Sequence, residues 1–384
     1  MLEDSTSPLR ILLDGDPRAP HQGRLGGALA ARGHSVVVLG ADDVVAMIRD
    51  EHGQRCEQIQ RPARLLGPLQ ARALVNKALA AKIDVVHLNY VRPEQEAWLL
   101  PNAPPFVATA WGSDINEHDF PRAPAYNNRV DRVLRGAAAV TGDSVPMVAQ
   151  LKRRARSERG RPTDLVMWGV DIAKFSRDRH WQRSRQLRAE LGVSEDQLVL
   201  LSPRQNTPNY HTDRIVAAFA QSSWPSVGVL VIKLHGRAGQ AERRQKLQDQ
   251  AAALGVAERL RFAGKCAYED LPAVYLMADA AVSALEADGV PSTFCELMAL
   301  GVPILATNLM SYEGVLDEGR GLLVPVADSA AMADAMSALG QQSEKREAIS
   351  RKARKHALGA LSWSRSIDQW LALYALALGR QPTS

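Results

Sequence analysis

Residues Asp288 to Thr307 read DGVPSTFCELMALGVPILAT, and they place two acids, Asp288 and Glu296, eight positions apart. Between them, Gly289 and Pro291 turn the chain into a helix with Ser292 or Thr293 near its first turn. Gly301 stops that helix, and Pro303 leads into a short apolar strand, Ile304 to Ala306. The N–H groups of a helix start have no intrahelical acceptor, so a phosphate or a polar sugar is favoured there. Glu296 lies about one turn inside, where a carboxylate can accept two hydroxyl hydrogen bonds from a ribose. A segment of this shape suits a nucleotide sugar.

Outward from this segment the chain repeats strand, helix, strand, the pattern of a parallel sheet flanked by helices. The expected strands of the first half are Arg10 to Asp14, Ser35 to Leu39, Val85 to Asn89, Phe106 to Ala110 and Ala138 to Thr141. Gly33 closes the Ala/Leu-rich helix between the first two. Trp168 to about Gln197 is charged and reads as an interdomain connection. A second cycle opens at Leu198 to Ser202 and runs through Val229 to Leu234, Leu260 to Phe262 and Ala280 to Ser283. The expectation is therefore two Rossmann-like domains facing across a cleft, with ligands outside the strand carboxyl ends.

Composition agrees. A chain of 384 residues with 46% apolar and 23% charged residues is ordinary globular material, long enough for two cores. Cys56, Cys266 and Cys295 show no paired or metal-type spacing, and no metal site is expected. That cysteine usage and the polar N-terminus point to a cytoplasmic protein. The net charge of +5 allows attraction to phosphates, acidic glycans or anionic lipid. The densest basic stretch, Lys152 to Arg161, reads as the solvated end of a helix, with peripheral docking at the inner face of a membrane as the sharper alternative. No aromatic residues alternate with it, so a nucleic-acid partner is not expected.

The opening segment resembles the signature of glycosyltransferase family 4: an acid, seven residues, Glu, then Met-Ala-x-Gly-x-Pro, here Asp288, Glu296, Met298, Ala299, Gly301 and Pro303. The first acid is Asp where most of the family has Glu. The resemblance extends along nearly the whole chain. RILLDGDPRAPHQGRLGGALAARGHSVVVL looks like the family's opening, and FVATAWGSDI resembles a bacterial subgroup carrying Trp-Gly-Ser-Asp. MWGVDIAKF is similar to the interdomain element, and LSPRQNTPNYHTDRIVAAFA to the start of the donor domain. SWSRSIDQWLALYALAL resembles terminal helices that cross back to the N-terminal domain.

The resemblance implies an α/β GT-B fold. Residues 1–172 and a C-terminal helix from about 363 to 384 would form the acceptor side, and 173–362 the donor-binding domain. It implies transfer of a sugar from a nucleotide-diphosphate sugar, UDP- or GDP-linked, with retention of configuration and no bound cofactor or metal. The acceptor would be a glycan, a lipid-linked glycan or a small molecule. Asp288 would hold donor-sugar hydroxyls, and Gly289, Val290, Pro291, Ser292 and Thr293 would line the sugar and diphosphate. Glu296 would hold the ribose, and the loop at Lys265 would lie against the base. Arg204 matches the family's phosphate-binding Arg, whose guanidinium can fork onto two oxygens.

The family's usual Lys five positions later is replaced by Asn209, which leaves His211, Lys233 or Arg237 to compensate. On the acceptor side, Trp111 stands where the family often has His. Asp114 orients a sugar hydroxyl or the nucleophile and Trp111 offers a ring face to the sugar, or else Asp114 caps the following segment and Trp111 is core. His21, Gln22 and Tyr90 are further acceptor-side candidates by position. Asn209 and Trp111 motivate the alternative of a degenerate, non-catalytic partner subunit. A nicotinamide-dependent oxidoreductase is disfavoured because no Gly-x-Gly-x-x-Gly follows either opening strand.

Overall fold

The computed structural model describes residues 7–15, 20–40, 56–59, 67–115, 122–155, 162–204, 206–235 and 239–380; the side chains of residues 20, 21 and 56 are outside that description. The chain divides into two compact units, Met1–Met167 with Ser366–Ser384, and Trp168–Arg365. Among the described residues no helix is long and apolar enough to cross a membrane.

The first unit is built on seven strands: β1 (Arg10–Asp14), β2 (Ser35–Leu39), β3 (Cys56–Ile59), β4 (Val85–Asn89), β5 (Phe106–Thr109), β6 (Ala139–Gly142) and β7 (Thr163–Leu165). Their order is β3-β2-β1-β4-β5-β6-β7, and every pair is parallel. The central strands are continuous apolar runs because helices cover both faces. On one face Leu12, Val37, Val86, Ala108 and Val140 meet Leu74 and Val75 of the helix Pro68–Ala80 and Val130, Val133 and Leu134 of the helix Pro124–Gly136.

The second unit repeats the scheme with β8 (Leu198–Ser202), β9 (Gly228–Lys233), β10 (Leu260–Ala263), β11 (Ala280–Ser283), β12 (Ile304–Thr307) and β13 (Leu322–Val324). The order is β10-β9-β8-β11-β12-β13, again parallel throughout. Leu200, Ile232, Val282 and Leu305 pack on Ile215, Val216 and Phe219 of the helix Thr212–Gln221 and on Met332, Met336 and Leu339 of the helix Ser329–Gln341. Two Rossmann-like parallel-sheet domains are thus present, as the strand-helix repetition implies.

The last helix, Trp363–Ala377, starts in the second unit, where Trp363 stacks on Trp168 at 6.0 Å, and continues in the first. There Trp370 and Tyr374 pack on His87 of β4, each with ring centroids 5.6 Å away. His87 is fully buried; its Nδ1 meets the Tyr374 hydroxyl and its Nε2 lies 2.7 Å from Thr109 Oγ1, itself 2.7 Å from Thr141 Oγ1. Burial lowers the imidazole pKa to about 3, so this polar thread through the core is neutral.

Three strands lack any counterpart in the sequence expectations: β3, β7 and β13. All are edge strands of three or four residues, and the run of buried apolar side chains that marks an inner strand is missing from them. The segment read as an interdomain connection contains a helix of the second unit, Arg177–Glu190, in which Ser184 alone is buried. Mostly polar, it is held by Arg188, which donates to the Met277 carbonyl, to Asp279 and to the Gln197 carbonyl. The basic stretch after Gln150 closes the helix Val145–Ala155 with Lys152 and Arg153 exposed, as its reading as a solvated helix end implies. Arg154 is pinned inward by Asp131 and by the Ile115 and Asn127 carbonyls, while residues 156–161 lie outside the described residues.

Candidate active site

In the second sheet the chain leaves β8 toward β9 on one side, while β11 adjoins β8 on the other. The carboxyl ends of β8 and β11 therefore flank a topological switch point, where open parallel sheets form a crevice. Arg204 follows β8 and Asp288 follows β11, and Arg204 Nη2 donates to Asp288 Oδ2 at 2.9 Å. The guanidinium carbon lies 5.1 Å from the centre of the Tyr210 ring, and Arg204 Nε is buried without a partner. Burial pushes the Asp288 carboxyl up, against the pull of Arg204 and the Gly289 N–H. Tyr312, buried beside it, keeps its proton far above the usual phenol range for the same reason.

The signature helix spans Ser292–Leu300. Ser292 and Thr293 stand in its first turn as the sequence implies, and its N-cap is Pro291, which makes no side-chain capping bond. Gly301 ends it at φ 70°, as the sequence implies. Glu296 projects from the second turn and is 2% exposed. Near it stand Lys233, the last residue of β9, Cys266 in the loop after β10, and Tyr275. Burial lowers the Lys233 ammonium and raises the Cys266 thiol and the Tyr275 phenol.

The remaining donor-side candidates are more dispersed. Lys265 is exposed and Asn209 sits on the surface of the short 3₁₀ turn Pro208–Tyr210. His211 adopts a left-handed backbone, φ 47°, at the head of the helix Thr212–Gln221. Its Nε2 lies 3.8 Å from Glu286, a carboxylate already paired with Arg214. Arg237 lies outside the described residues. Val290 is buried, and Gly289, Ser292 and Thr293 are half-buried around Asp288. Tyr275 and Tyr312 were not legible as site residues, because nothing in their local sequence says that they lie buried beside Glu296 and Asp288.

The first sheet has its own switch point between β1 and β4. Gly15 follows β1, and a Cβ there would lie 2.6 Å from Gln22 Oε1 and 2.8 Å from Asn89 Cβ. Gln22, in the helix Pro20–Ala31, is fully buried and accepts from Asn89 Nδ2 at 2.8 Å, so it ties that helix to the end of β4. The His21 side chain is outside the described residues.

Asp114 is likewise turned inward, at 1% exposure. Its Oδ1 accepts from the Trp111 and Gly112 N–H groups at 3.0 and 2.9 Å, and its Oδ2 from Val91 N–H at 2.8 Å. Burial raises its carboxyl despite these bonds. Through these three bonds the carboxylate organises the Trp111–Asp114 loop and ties it to Val91. Trp111 and Tyr90 are half-buried and meet edge-to-face at 6.0 Å, with the Tyr90 hydroxyl 3.1 Å from Ser113 Oγ. Tyr90 holds φ 71°, an uncommon value for a bulky residue.

Residues 183–356 match the family model described as glycosyl transferases group 1, and residues 19–167 match that of the glycosyl transferase 4-like domain. Among curated relatives, the D-inositol 3-phosphate glycosyltransferase of Geodermatophilus obscurus is 30% identical over 312 residues, 77% of this chain and 66% of that protein. The protein of the same name from Corynebacterium urealyticum is 26% identical over 80% of this chain and 76% of its own length. Among solved structures, a glycosyltransferase from Rickettsia africae superposes with a TM-score of 0.80 at 16% identity, covering 97% of this chain and 99% of that one. Anabaena HepE in complex with UDP gives 0.77 at 19% identity, covering 95% and 98%.

Proposed function

This chain belongs to the glycosyl transferases group 1 family, and from that premise we propose that it transfers a sugar from a nucleotide-diphosphate sugar, with retention of configuration, to an acceptor hydroxyl. The observation that carries the donor reading is the pairing of Arg204 and Asp288 at the β8/β11 switch point, above an uncapped helix start and the buried Glu296. UDP is the first nucleotide to consider, because HepE is crystallised with UDP and with UDP-glucose.

In this reading each group has a chemical task. Arg204 retains Nε and its second terminal nitrogen for two oxygens of the diphosphate, where negative charge grows as the bond from the sugar's anomeric carbon breaks. The first-turn N–H groups of the helix Ser292–Leu300 add dipoles of the right sign. Asp288, fixed through one oxygen by Arg204, offers the other to sugar hydroxyls. Glu296 accepts the ribose hydroxyls. With retention, the acceptor attacks on the face the diphosphate leaves, and the departing diphosphate oxygen takes its proton. Trp111 and Tyr90 offer ring faces on the acceptor side, and Asp114 acts by holding their loop. The name shared by the curated relatives makes a phosphorylated polyol hydroxyl the first acceptor to try.

The test is turnover. UDP-glucose and GDP-mannose would be incubated separately with D-inositol 3-phosphate and the glycosidic proton coupling read by NMR. An α-linked product from either α-linked donor supports the reading; a β-linked product overturns retention. Absence of nucleotide release with either donor, and with simple sugar acceptors, turns the argument to a non-catalytic role.

A further inference from the structure

Lys233 is the cation whose surroundings call most plainly for a ligand. It closes β9, in register with Ala263 of β10, and its other neighbour strand is β8, which leads into Arg204. It is 4% exposed. Among the described residues it donates no hydrogen bond and forms no ion pair; the Glu296 carboxylate and the Cys266 thiol are within electrostatic reach, and burial lowers its pKa. An ammonium removed from water without a hydrogen-bonded partner is destabilising, and an apolar side chain of equal length would relieve that strain on folding. At the end of the adjacent strand, Arg204 Nε is also buried and unpartnered. Two such donors on neighbouring strand ends, one a fork and one a point charge, match a ligand with several negative oxygens.

We propose that Lys233 seats a phosphoryl oxygen of the nucleotide-sugar donor, sharing the diphosphate with Arg204, in place of the surface position Asn209. The inference rests on the donor reading above and adds to it a residue that distinguishes a phosphate-bearing ligand from its bare nucleoside. The competing role is structural, with Lys233 as a buried counter-charge that holds Glu296. The two roles have opposite signatures. A counter-charge stabilises the free protein, so its loss lowers the unfolding temperature and weakens nucleotide and nucleoside together. A ligand seat costs stability in the free protein, so its loss raises the unfolding temperature and weakens only the phosphate-bearing ligand.

The experiment titrates wild type and Lys233→Met by calorimetry with UDP, GDP, ADP and TDP. Whichever diphosphate binds wild type is then compared with its own nucleoside, alongside thermal unfolding of both proteins without ligand. Removing one charge-assisted phosphate contact is expected to weaken the diphosphate about 10- to 150-fold and the nucleoside less than about twofold, with an unfolding temperature equal to or above that of wild type. An unchanged diphosphate affinity overturns the proposal. So does an equal loss for diphosphate and nucleoside, or a fall in unfolding temperature, either of which assigns Lys233 to support of Glu296. If wild type binds none of the four diphosphates, the donor reading itself fails, and this inference with it.

Discussion

Replacing Asp114 by Asn separates a scaffold from a catalyst. In the wild-type chain the carboxylate accepts three backbone N–H bonds, from Trp111, Gly112 and Val91. Asn has one oxygen. If that oxygen stays on Trp111 and Gly112, its NH₂ group points at the Val91 N–H, donor against donor, and leaves a buried donor unsatisfied, worth about 1–3 kcal/mol. The two retained bonds change from charge-assisted to neutral, a loss of roughly 1 kcal/mol each. Against this, the buried charge disappears, and the upward push on the Asp114 carboxyl says that burial opposes that charge. The net expectation is a loss of about 2–4 kcal/mol, or roughly 5–15 °C in the unfolding temperature of the first unit. Donor turnover, assayed well below that temperature as nucleotide release, should fall less than about tenfold, since no Asp114 oxygen is left facing outward. A variant of wild-type stability whose kcat drops about a thousandfold would refute this reasoning and restore Asp114 as a group that touches substrate.

His87 supplies a pH dependence. Its folded pKa of about 3 lies below the ordinary 6.5, so the unfolded chain binds the extra proton as pH falls. The stability it contributes is complete above about pH 6.5 and is lost at about 1.4 kcal/mol per pH unit down toward 3. Between pH 7.5 and 5.0, urea unfolding of wild type should lose about 2 kcal/mol more than His87→Gln; equal losses would mean that the imidazole is not held neutral. Gly15→Ala sets a Cβ 2.6 Å from Gln22 Oε1 and 2.9 Å from the Asn89 carbonyl. It should destabilise the first unit by about 1–3 kcal/mol, and an unaltered unfolding temperature would contradict the packing of the β1/β4 ends.

What the sequence discloses follows the physics of each segment. Central strands such as Ile11–Leu13 and Val36–Val38 are buried on both faces, so their apolar runs are legible at once. Gly301 is legible because a left-handed C-cap favours glycine. The edge strands β3, β7 and β13 are not, since each is only three or four residues long: β3 and β7 carry polar residues, and the apolar Leu322–Val324 of β13 is too short to stand out. The helix Arg177–Glu190 is hidden by its polarity; its anchors are arginine contacts to distant carbonyls, which no local pattern encodes. In the site, residue types announce Asp288, Glu296 and Arg204, but direction does not follow from type. Asp114 and Gln22 carry the right chemistry and face inward. Lys233 looks like an ordinary strand-end lysine until its isolation in the fold is seen.

Whether the strand ends of the second unit hold a nucleotide-sugar donor is decided by calorimetric titration of wild type and Glu296→Ala with UDP. Saturable binding to wild type is expected, with an affinity about 10- to 150-fold lower in the variant, from loss of a charge-assisted hydrogen bond to the ribose, and with the unfolding transition of the free protein retained. Equal UDP affinity in both proteins, with both folded, would contradict the donor reading.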